Sequence, residues 1–342
     1  MSRVLVTGAT GFVGRALCAE LLRHGHAVRA ALRRAEDSTR LALEGVETLA
    51  VGTVNAATDW RNALAGCEAV VHLAARVHVM RDEAIDPLTE FRAVNVESTL
   101  NLARQAAKAG VRRFIYLSSI KVNGEGTQPP LPGPLPRGER ERYCEGDEPA
   151  PQDAYAVSKW EAEQGLREIA RESGMEVVII RPPLVYGPGV KANFLNMMRW
   201  LHKGVPLPFG AIHNRRSLVA LDNLIDLIIT CIEHPAAANQ TFLVSDGEDL
   251  STTELLRRMA AALDMPARLL PVPQNLLETG FKMAGKGDLA QRLCGSLQVD
   301  ITKACAMLDW KPLIPVDEGL RRTAVCFLRH PMTTPNCPAL WR

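Results

Sequence analysis

The sequence Thr7-Gly8-Ala9-Thr10-Gly11-Phe12-Val13-Gly14 follows an apolar run at 3–7 and carries a glycine at every third position from Gly8. The first glycine permits a tight turn, the second lets a pyrophosphate approach the backbone, and the third lets a helix pack closely against a strand. The N–H groups at the start of such a helix, together with its dipole, attract phosphate. The stretch therefore predicts a strand, a helix over 11–24 and, between them, a dinucleotide site formed by Gly8, Thr10, Gly11, Phe12, Val13 and Gly14.

Beyond this stretch, short apolar runs alternate with helical patterns. The predicted strands cover 3–7, 27–32, 48–51, 69–73, 113–118, 176–181 and 241–245, and further helices are predicted at 86–109, 153–173 and 252–263. Strands that alternate with helices form crossover units and a parallel sheet that is buried on both faces. We therefore expect an α/β fold, namely a Rossmann-type doubly wound parallel sheet with a smaller α/β substrate-binding lobe.

After Arg181 the pattern loosens, because segments rich in Pro and Gly break up short helices. We expect a dinucleotide-binding domain of 1–182 plus about 217–246, and a substrate lobe of 183–216 plus about 247–330. The last residues, 331–342, have little pattern and are expected to fray. The segment 126–142 carries five prolines followed by charges, and we interpret it as an exposed, tolerated insertion, with a proline-rich ligand for a partner domain as the alternative.

The composition argues against several classes of function. The 342 residues include 40 Lys and Arg against 38 Asp and Glu, a net charge of +2 that argues against nucleic acid as a main partner. No apolar run approaches the roughly 20 residues of a membrane span, and the chain starts without a signal peptide, so we expect a cytoplasmic protein with no membrane partner. The eight Cys form no C-x-x-C pair and the eight His no metal motif, so no metal site is predicted.

The end of the second predicted strand bears on the choice of dinucleotide. A carboxylate at this point holds the ribose 2′-OH of NAD, whereas an Arg accommodates the 2′-phosphate of NADP. The strand ends in Leu32-Arg33-Arg34, and the carboxylates of Glu36 and Asp37 come later. Arg33 and Arg34 therefore favour NADP, with NAD as the alternative.

Tyr155 and Lys159 are spaced so that both side chains lie on one face of the helix predicted at 153–173. A nearby ammonium favours the phenolate, so we expect a lowered pKa for Tyr155, which is then able to act as general acid or base toward a carbonyl or carbinol. Ser118 and Ser119 end a predicted parallel strand, where ligands bind in this fold. The Ser119 hydroxyl is expected to hydrogen-bond the same substrate oxygen as Tyr155.

Together these residues resemble the extended short-chain dehydrogenase/reductase family, the group of NAD-dependent epimerases, dehydratases and reductases of nucleotide sugars. The resemblance covers the chain from Val4 to about Leu320. It rests on TGATGFVG at 7–14, VHLAA at 71–75, Asn95, YLSS at 116–119, YAVSK at 155–159, RPPLVYGPG at 181–189 and RRSLVALDNL at 215–224.

The resemblance implies a role for each matching residue. Ser119, Tyr155 and Lys159 match the catalytic triad, and Lys159 also bonds the nicotinamide ribose. Further cofactor contacts are implied for Leu73, Ala74, Ala75, Ser118, Tyr155 and Pro182. Asn193, Arg216 and Arg292 are implied to hold the diphosphate of a UDP-sugar, a charge that a guanidinium fork suits.

The family pattern is not complete in this chain. Ile120 and Lys121 stand where the 4,6-dehydratases carry Asp-Glu, so dehydration is not expected, and Thr53-Val54 replaces an Asp-containing pair near the adenine. The segments 118–125 and 181–194 resemble bacterial enzymes that reduce a UDP-4-keto-6-deoxy-N-acetylhexosamine for cell-surface polysaccharide synthesis, and that activity is the function we expect.

The expected reduction has two alternatives. A UDP-glucose or UDP-GlcNAc 4-epimerase uses the same triad, and a non-catalytic dinucleotide sensor has the same fold. The family resemblance further implies a homodimer, with the helices near 88–109 and 153–173 at its interface and Leu88, Phe91, Trp160 and Ala162 as candidate contacts.

Overall fold

The computed structural model describes residues 2–77, 86–127, 142–285 and 287–329. Most of the predicted loop 126–142 and the whole tail 331–342 therefore lie outside the described residues. Its larger sheet contains β1 (Arg3–Thr7), β2 (Ala27–Leu32), β3 (Val46–Ala50), β4 (Ala69–His72), β5 (Arg113–Leu117), β6 (Glu176–Arg181) and β9 (Thr241–Leu243). The strand order is β3-β2-β1-β4-β5-β6-β9, and all neighbours are parallel. The order reverses between β1 and β4, as in a doubly wound sheet, so the predicted fold class is confirmed.

A second, three-stranded sheet was not expected from the sequence. It contains β7 (Leu184–Tyr186), β8 (Arg216–Ala220) and β10 (Asp249–Leu250), in the order β10-β8-β7. β7 forms within a Pro- and Gly-rich segment that was interpreted as a break between helices. Strands of two to five residues are too short to show a clear period in the sequence.

Helices cover both faces of the larger sheet and build the second lobe. They are α1 (Phe12–Arg23), α2 (Ser38–Leu41), α3 (Arg61–Leu64), α4 (Pro87–Arg92), α5 (Ser98–Lys108), α6 (Ala154–Ser173), α7 (Ala192–His202), α8 (Leu221–Glu233), α9 (Thr252–Ala262), α10 (Gln274–Met283), α11 (Gly287–Cys294), α12 (Thr302–Leu308) and α13 (Val316–Arg329). None of those in the described ranges is long and apolar enough to cross a membrane.

Alternate residues of the central strands face opposite layers. Val4 and Val6 belong to the cluster that includes Leu17 of α1 and Ile228 of α8. Leu5 belongs to the cluster on the other face, with helices α5 and α6. Because successive side chains of a strand point to opposite faces, a continuous apolar run such as Val4–Val6 is what a sheet covered on both faces requires.

The glycines of the first turn fit tightly against backbone. A Cβ on Gly14 would lie 2.2 Å from the Gly8 carbonyl oxygen, and one on Gly8 would lie 2.9 Å from the Ala74 nitrogen. Gly8 also has a φ of +68°, a conformation that suits glycine. The sequence requirement for glycine here follows from the close contact of α1 with the end of β1.

Gly14→Ala tests this close contact. We expect it to lower the free energy of unfolding by about 3 kcal/mol, the upper end of the usual cost of overpacking, because the obstacle is backbone. Gly280→Ala in α10 is the matched control, since a Cβ there meets nothing within 4 Å. The control variant is expected to gain about 0.5–1 kcal/mol from the helix preference of Ala. Equal effects of the two substitutions in urea unfolding would contradict the packing explanation.

Candidate active site

The glycine turn presents the start of α1 to the carboxyl edge of the sheet. The Gly11 N–H donates to the Gly8 carbonyl at 2.9 Å, which closes the turn. Gly11 is the N-cap of α1 and no side chain caps this helix end. The predicted cofactor residues Thr10, Phe12 and Val13 follow the same turn and are partly exposed. Free amides at a helix start next to glycines suit a pyrophosphate, so these residues fit a dinucleotide.

The loop after β4 is attached to the glycine turn. The Thr7 hydroxyl accepts the N–H groups of Leu73 and Ala74 at 3.2 and 3.3 Å. It also bonds His72 Nδ1 at 2.7 Å, and His72 Nε2 bonds Thr99 at 2.9 Å. Burial lowers the pKa of His72 to about 3, so the imidazole is neutral. These bonds place Leu73, Ala74 and the following Ala75 beside Gly8, where the sequence predicted cofactor contacts.

The two serines after β5 have different surroundings. Ser118 is buried, and its hydroxyl donates to Glu163 Oε1 at 2.5 Å. Ser119 is partly exposed and caps a short 3-10 turn, Ile120–Val122, by accepting the Lys121 N–H at 3.3 Å. Pro182 lies next to this turn, because its carbonyl accepts the Ile120 N–H at 3.0 Å. Ser119 is therefore the serine whose hydroxyl faces the site.

Helix α6 carries Tyr155 and Lys159 in its first two turns. The helix is capped by Asp153, which accepts the Ala156 N–H at 2.7 Å. The Ser119 hydroxyl lies near the Tyr155 hydroxyl and acts to lower the pKa of Tyr155. Lys159 Nζ donates to the Leu117 carbonyl at 2.8 Å and lies 5.9 Å from the centre of the Tyr155 ring. The structure thus brings Ser119, Tyr155 and Lys159 together, as the sequence predicted.

The charge state of this group differs from the sequence expectation. Burial raises the pKa of Tyr155, and the Ser119 hydroxyl opposes this only in part. Burial also lowers the pKa of Lys159 to about 7. The expectation that Lys159 lowers the pKa of Tyr155 is therefore wrong for this structure. The spacing of two residues on a helix defines their shared face but not the water that each side chain loses on folding.

A buried ion pair holds α6 against β6. Glu163 is fully buried and accepts Arg181 Nε at 2.9 Å and Nη2 at 2.5 Å. Arg181 Nη1 donates to Asn123 at 2.9 Å, so the same guanidinium also reaches the segment after Ser119. Sequence reasoning missed this pair. Two features of the sequence could have indicated the pair. Glu163 lies four residues after Lys159 on the same helix face, and an Arg stands at the end of a buried strand.

A π-helical turn interrupts the helix between α4 and α5. It covers Ala93–Glu97 and contains the buried Asn95. Asn95 accepts the Arg76 N–H at 2.8 Å and donates to the Arg76 carbonyl at 3.0 Å and to Ser158 at 3.0 Å. Single π turns are frequent at functional sites. Here the turn connects the loop after β4 to helix α6, next to Lys159.

Lys121 connects the serine turn to the start of α6. Its ammonium donates to Asp153 at 2.5 Å and to Glu125 at 2.7 Å. The position that carries an acid in dehydratases therefore holds a paired cation in this chain.

Arg33 and Arg34 lie exposed after β2. Arg34 is within 4.0 Å of Glu36 and Asp37, whereas Arg33 has no carboxylate partner among the described residues. The structure therefore leaves Arg33 available at the carboxyl end of β2.

The predicted substrate residues lie in the second lobe. Arg216 Nη1 donates to the Gly295 carbonyl at 2.9 Å, next to α11. Burial and, to a smaller extent, the positive charge of Arg292 lower the pKa of Arg216. Neither has an ion-pair partner among the side chains that the structure describes. Asn193 is exposed at the start of α7.

The chain is similar to known proteins in both sequence and fold. A model of the NAD dependent epimerase/dehydratase family matches residues 4–245. A UDP-glucose 4-epimerase of Vibrio cholerae is 50% identical over 328 residues, which cover 95% of each chain.

Solved structures share the fold. A UDP-glucuronic acid 4-epimerase from Bacillus cereus, solved with NAD, superposes with a TM-score of 0.75 at 19% identity and covers 96% of this chain and 99% of its own. A UDP-glucose 4-epimerase from Thermotoga maritima, solved with UDP-glucose, has a TM-score of 0.72 at 21% identity, with coverages of 96% and 100%.

Lys159→Met tests the buried lysine through stability. Between pH 7 and the ordinary pKa of 10.5 the unfolded chain binds more protons at this lysine than the folded chain, so wild-type stability rises with pH. We expect the free energy of unfolding of wild type minus that of the variant to increase across this range. Lys108→Met, at an exposed position, controls for the loss of a lysine. A difference in the free energy of unfolding that does not change with pH would contradict a lowered pKa for the buried Lys159.

Proposed function

The chain belongs to the NAD dependent epimerase/dehydratase family, and from this premise we propose that it is a UDP-hexose 4-epimerase acting on UDP-glucose or UDP-N-acetylglucosamine. Membership makes it an enzyme that works with a nicotinamide dinucleotide. The observation that carries the proposal is the Ser119–Tyr155–Lys159 group, in a chain half identical to the Vibrio cholerae epimerase.

Tyr155 is the proposed proton carrier at the sugar C4 oxygen. It lies near Ser119, whose hydroxyl acts to lower its pKa, and both residues are partly exposed. As a phenolate, Tyr155 takes the proton of a substrate hydroxyl that bonds both groups, and the resulting tyrosine hydroxyl returns this proton when the keto group is reduced again. Lys159, with a pKa of about 7, gains or loses a proton at small cost near neutral pH. A bound nicotinamide dinucleotide supplies hydride exchange at C4 and, when oxidised, a positive charge that favours the phenolate.

The protein groups of this site are held by rigid elements. Ser119 caps a turn that follows β5, and Tyr155 lies in the first turn of α6. Inversion at C4 therefore requires that the sugar, and not these side chains, turns between the two halves of the reaction. We propose that the sugar rotates about the bonds to its diphosphate, because the second lobe is proposed to hold the diphosphate in place.

Arg216 and Arg292 are proposed to bind that diphosphate, with Asn193 as a further contact. Two guanidinium groups that repel each other are stabilised when an anion lies between them. The backbone carbonyls that Arg216 contacts fix its position without neutralising its charge. For the cofactor, we propose the glycine-turn residues, Leu73 to Ala75, Ser118 through its backbone, Tyr155, Lys159 and Pro182.

One observation favours a second function, reduction of a UDP-4-keto-6-deoxy sugar with NADPH for cell-surface polysaccharide synthesis. Arg33 is exposed directly after β2 and has no carboxylate partner among the residues that the structure describes, at the point where the 2′-phosphate of NADP is held in this fold. A reductase exchanges its cofactor at each turnover, whereas a 4-epimerase retains it. The two functions therefore differ in the dinucleotide that the purified protein carries.

We also propose the wider organisation that the sequence suggested. The dinucleotide-binding unit comprises 1–182 and 217–246, the substrate lobe 183–216 and 247–330, and the protein acts in the cytoplasm as a homodimer. Helices α4, α5 and α6 supply the dimer face. Phe91 and Ala162 are buried within their own subunit, so Leu88 and Trp160 are the remaining candidates from that set.

Tyr155→Phe tests the proton carrier. With UDP-glucose or UDP-N-acetylglucosamine and no added dinucleotide, we expect wild type to form the 4-epimer and the variant to lose roughly 10²–10⁴-fold in kcat. Tyr116→Phe is the matched control, because its hydroxyl is buried without a hydrogen-bond partner in the described structure. Unchanged turnover in Tyr155→Phe would remove Tyr155 as the proton carrier.

The dinucleotide released on denaturation separates the two functions. Stoichiometric NAD and no preference for added NADPH support the epimerase. An empty protein that binds NADPH reversibly supports the reductase, and Arg33→Ala is then expected to weaken NADPH binding by roughly 10–100-fold without affecting NADH. Arg40→Ala, another exposed arginine after β2, is the control.

A further inference from the structure

Helix α10 has two apolar faces, and the rest of the described protein covers only one of them. Leu277 and Phe281 pack against the core of the second lobe. On the other side, Leu276 and Met283 are 64% and 85% exposed. They lie seven residues apart and therefore share a face of the helix. No residue of α10 is fully buried. An apolar outward face on a surface helix calls for a partner.

The neighbouring segment extends this apolar face. Leu270, four residues before the start of α10, is 52% exposed, and its N–H donates to the Leu207 carbonyl at 2.8 Å. Val205 lies two residues before Leu207, and its N–H donates to the carbonyl of Trp200. Five apolar side chains on these segments are at least 40% exposed, and we refer to them as the apolar surface: Trp200, Val205, Leu270, Leu276 and Met283.

The apolar surface has a positive border. The segments 199–206 and 266–285 contain four exposed Lys and Arg, namely Arg199, Lys203, Arg268 and Lys282. They contain one carboxylate, Glu278, which already accepts a hydrogen bond from Gln274 at 2.8 Å. The whole chain, in contrast, is nearly balanced in charge.

We propose that the apolar surface of the second lobe docks on an anionic lipid bilayer, with α10 lying in the plane of the interface. Leu276 and Met283 enter the boundary between headgroups and acyl chains, while the lysines and arginines contact the anionic headgroups. Trp200 at the edge is the type of residue that bilayer interfaces favour. A second copy of the same face fits less well, because two positive borders would meet across a twofold axis.

Vesicle sedimentation of the full chain tests this docking. We expect binding to phosphatidylcholine vesicles that contain phosphatidylglycerol, weaker binding without phosphatidylglycerol, and release by salt. The double variant Leu276→Glu with Met283→Glu is expected to bind roughly tenfold or more weakly, the factor implied by losing one buried apolar side chain. Leu313→Glu is the matched control, because Leu313 is also 64% exposed but lies before α13.

Three results would overturn the proposal. The first is that wild type does not bind the anionic vesicles, and the second is that the double variant binds as well as Leu313→Glu. The third is a wild-type oligomer, insensitive to vesicles, that the double variant dissociates in size-exclusion chromatography, since the surface would then join two copies. If the double variant unfolds by circular dichroism, Lys282→Glu tests the same surface through its charge, with weaker vesicle binding expected and unchanged binding as the contrary result.

Discussion

The buried ion pair between Glu163 and Arg181 positions the rest of the candidate site. Glu163 lies on the helix that carries Tyr155 and Lys159, and Arg181 ends the strand next to β5. The same carboxylate accepts the Ser118 hydroxyl, so one buried charge connects the helix to both strands. Removal of one partner from such a pair costs about 3–5 kcal/mol, because the other charge is left uncompensated in the core. Precision at Ser119 and Tyr155 therefore depends on a contact that touches neither of them.

Two kinds of local structure meet at the carboxyl edge of the sheet. The glycine turn offers backbone amides, which suit phosphate, and the opposite side offers hydroxyls and an ammonium, which suit a sugar oxygen. Between them, the hydrogen bonds of Thr7 and Asn95 fix the loop after β4 from both directions. Because these partners are buried, the cleft between the two sides is set by packing and changes little with the rotamers of exposed residues.

Sequence patterns predicted what depends on neighbours in the chain. The glycine spacing, the alternating strands and the Tyr155–Lys159 face are local, and the structure confirms the strands and brings the two side chains together. The Glu163–Arg181 pair and the sheet of β7, β8 and β10 join segments that are separated in the sequence. The hydrophobic periodicity within one segment therefore does not predict them. The pKa of Tyr155 was predicted in the wrong direction for the same reason, since burial is a property of the assembled fold.

The second lobe connects the proposed diphosphate-binding site to the outward surface of α10. Gln274 of α10 donates to the Cys294 carbonyl at 3.3 Å, at the end of the helix that carries Arg292. Arg216 in turn bonds the Gly295 carbonyl, one residue further along the chain. A partner that orders α10 therefore also restricts the backbone that positions both arginines. Docking at α10 and binding of a diphosphate at Arg216 and Arg292 would therefore act on the same backbone segment, at the C-terminal end of α11.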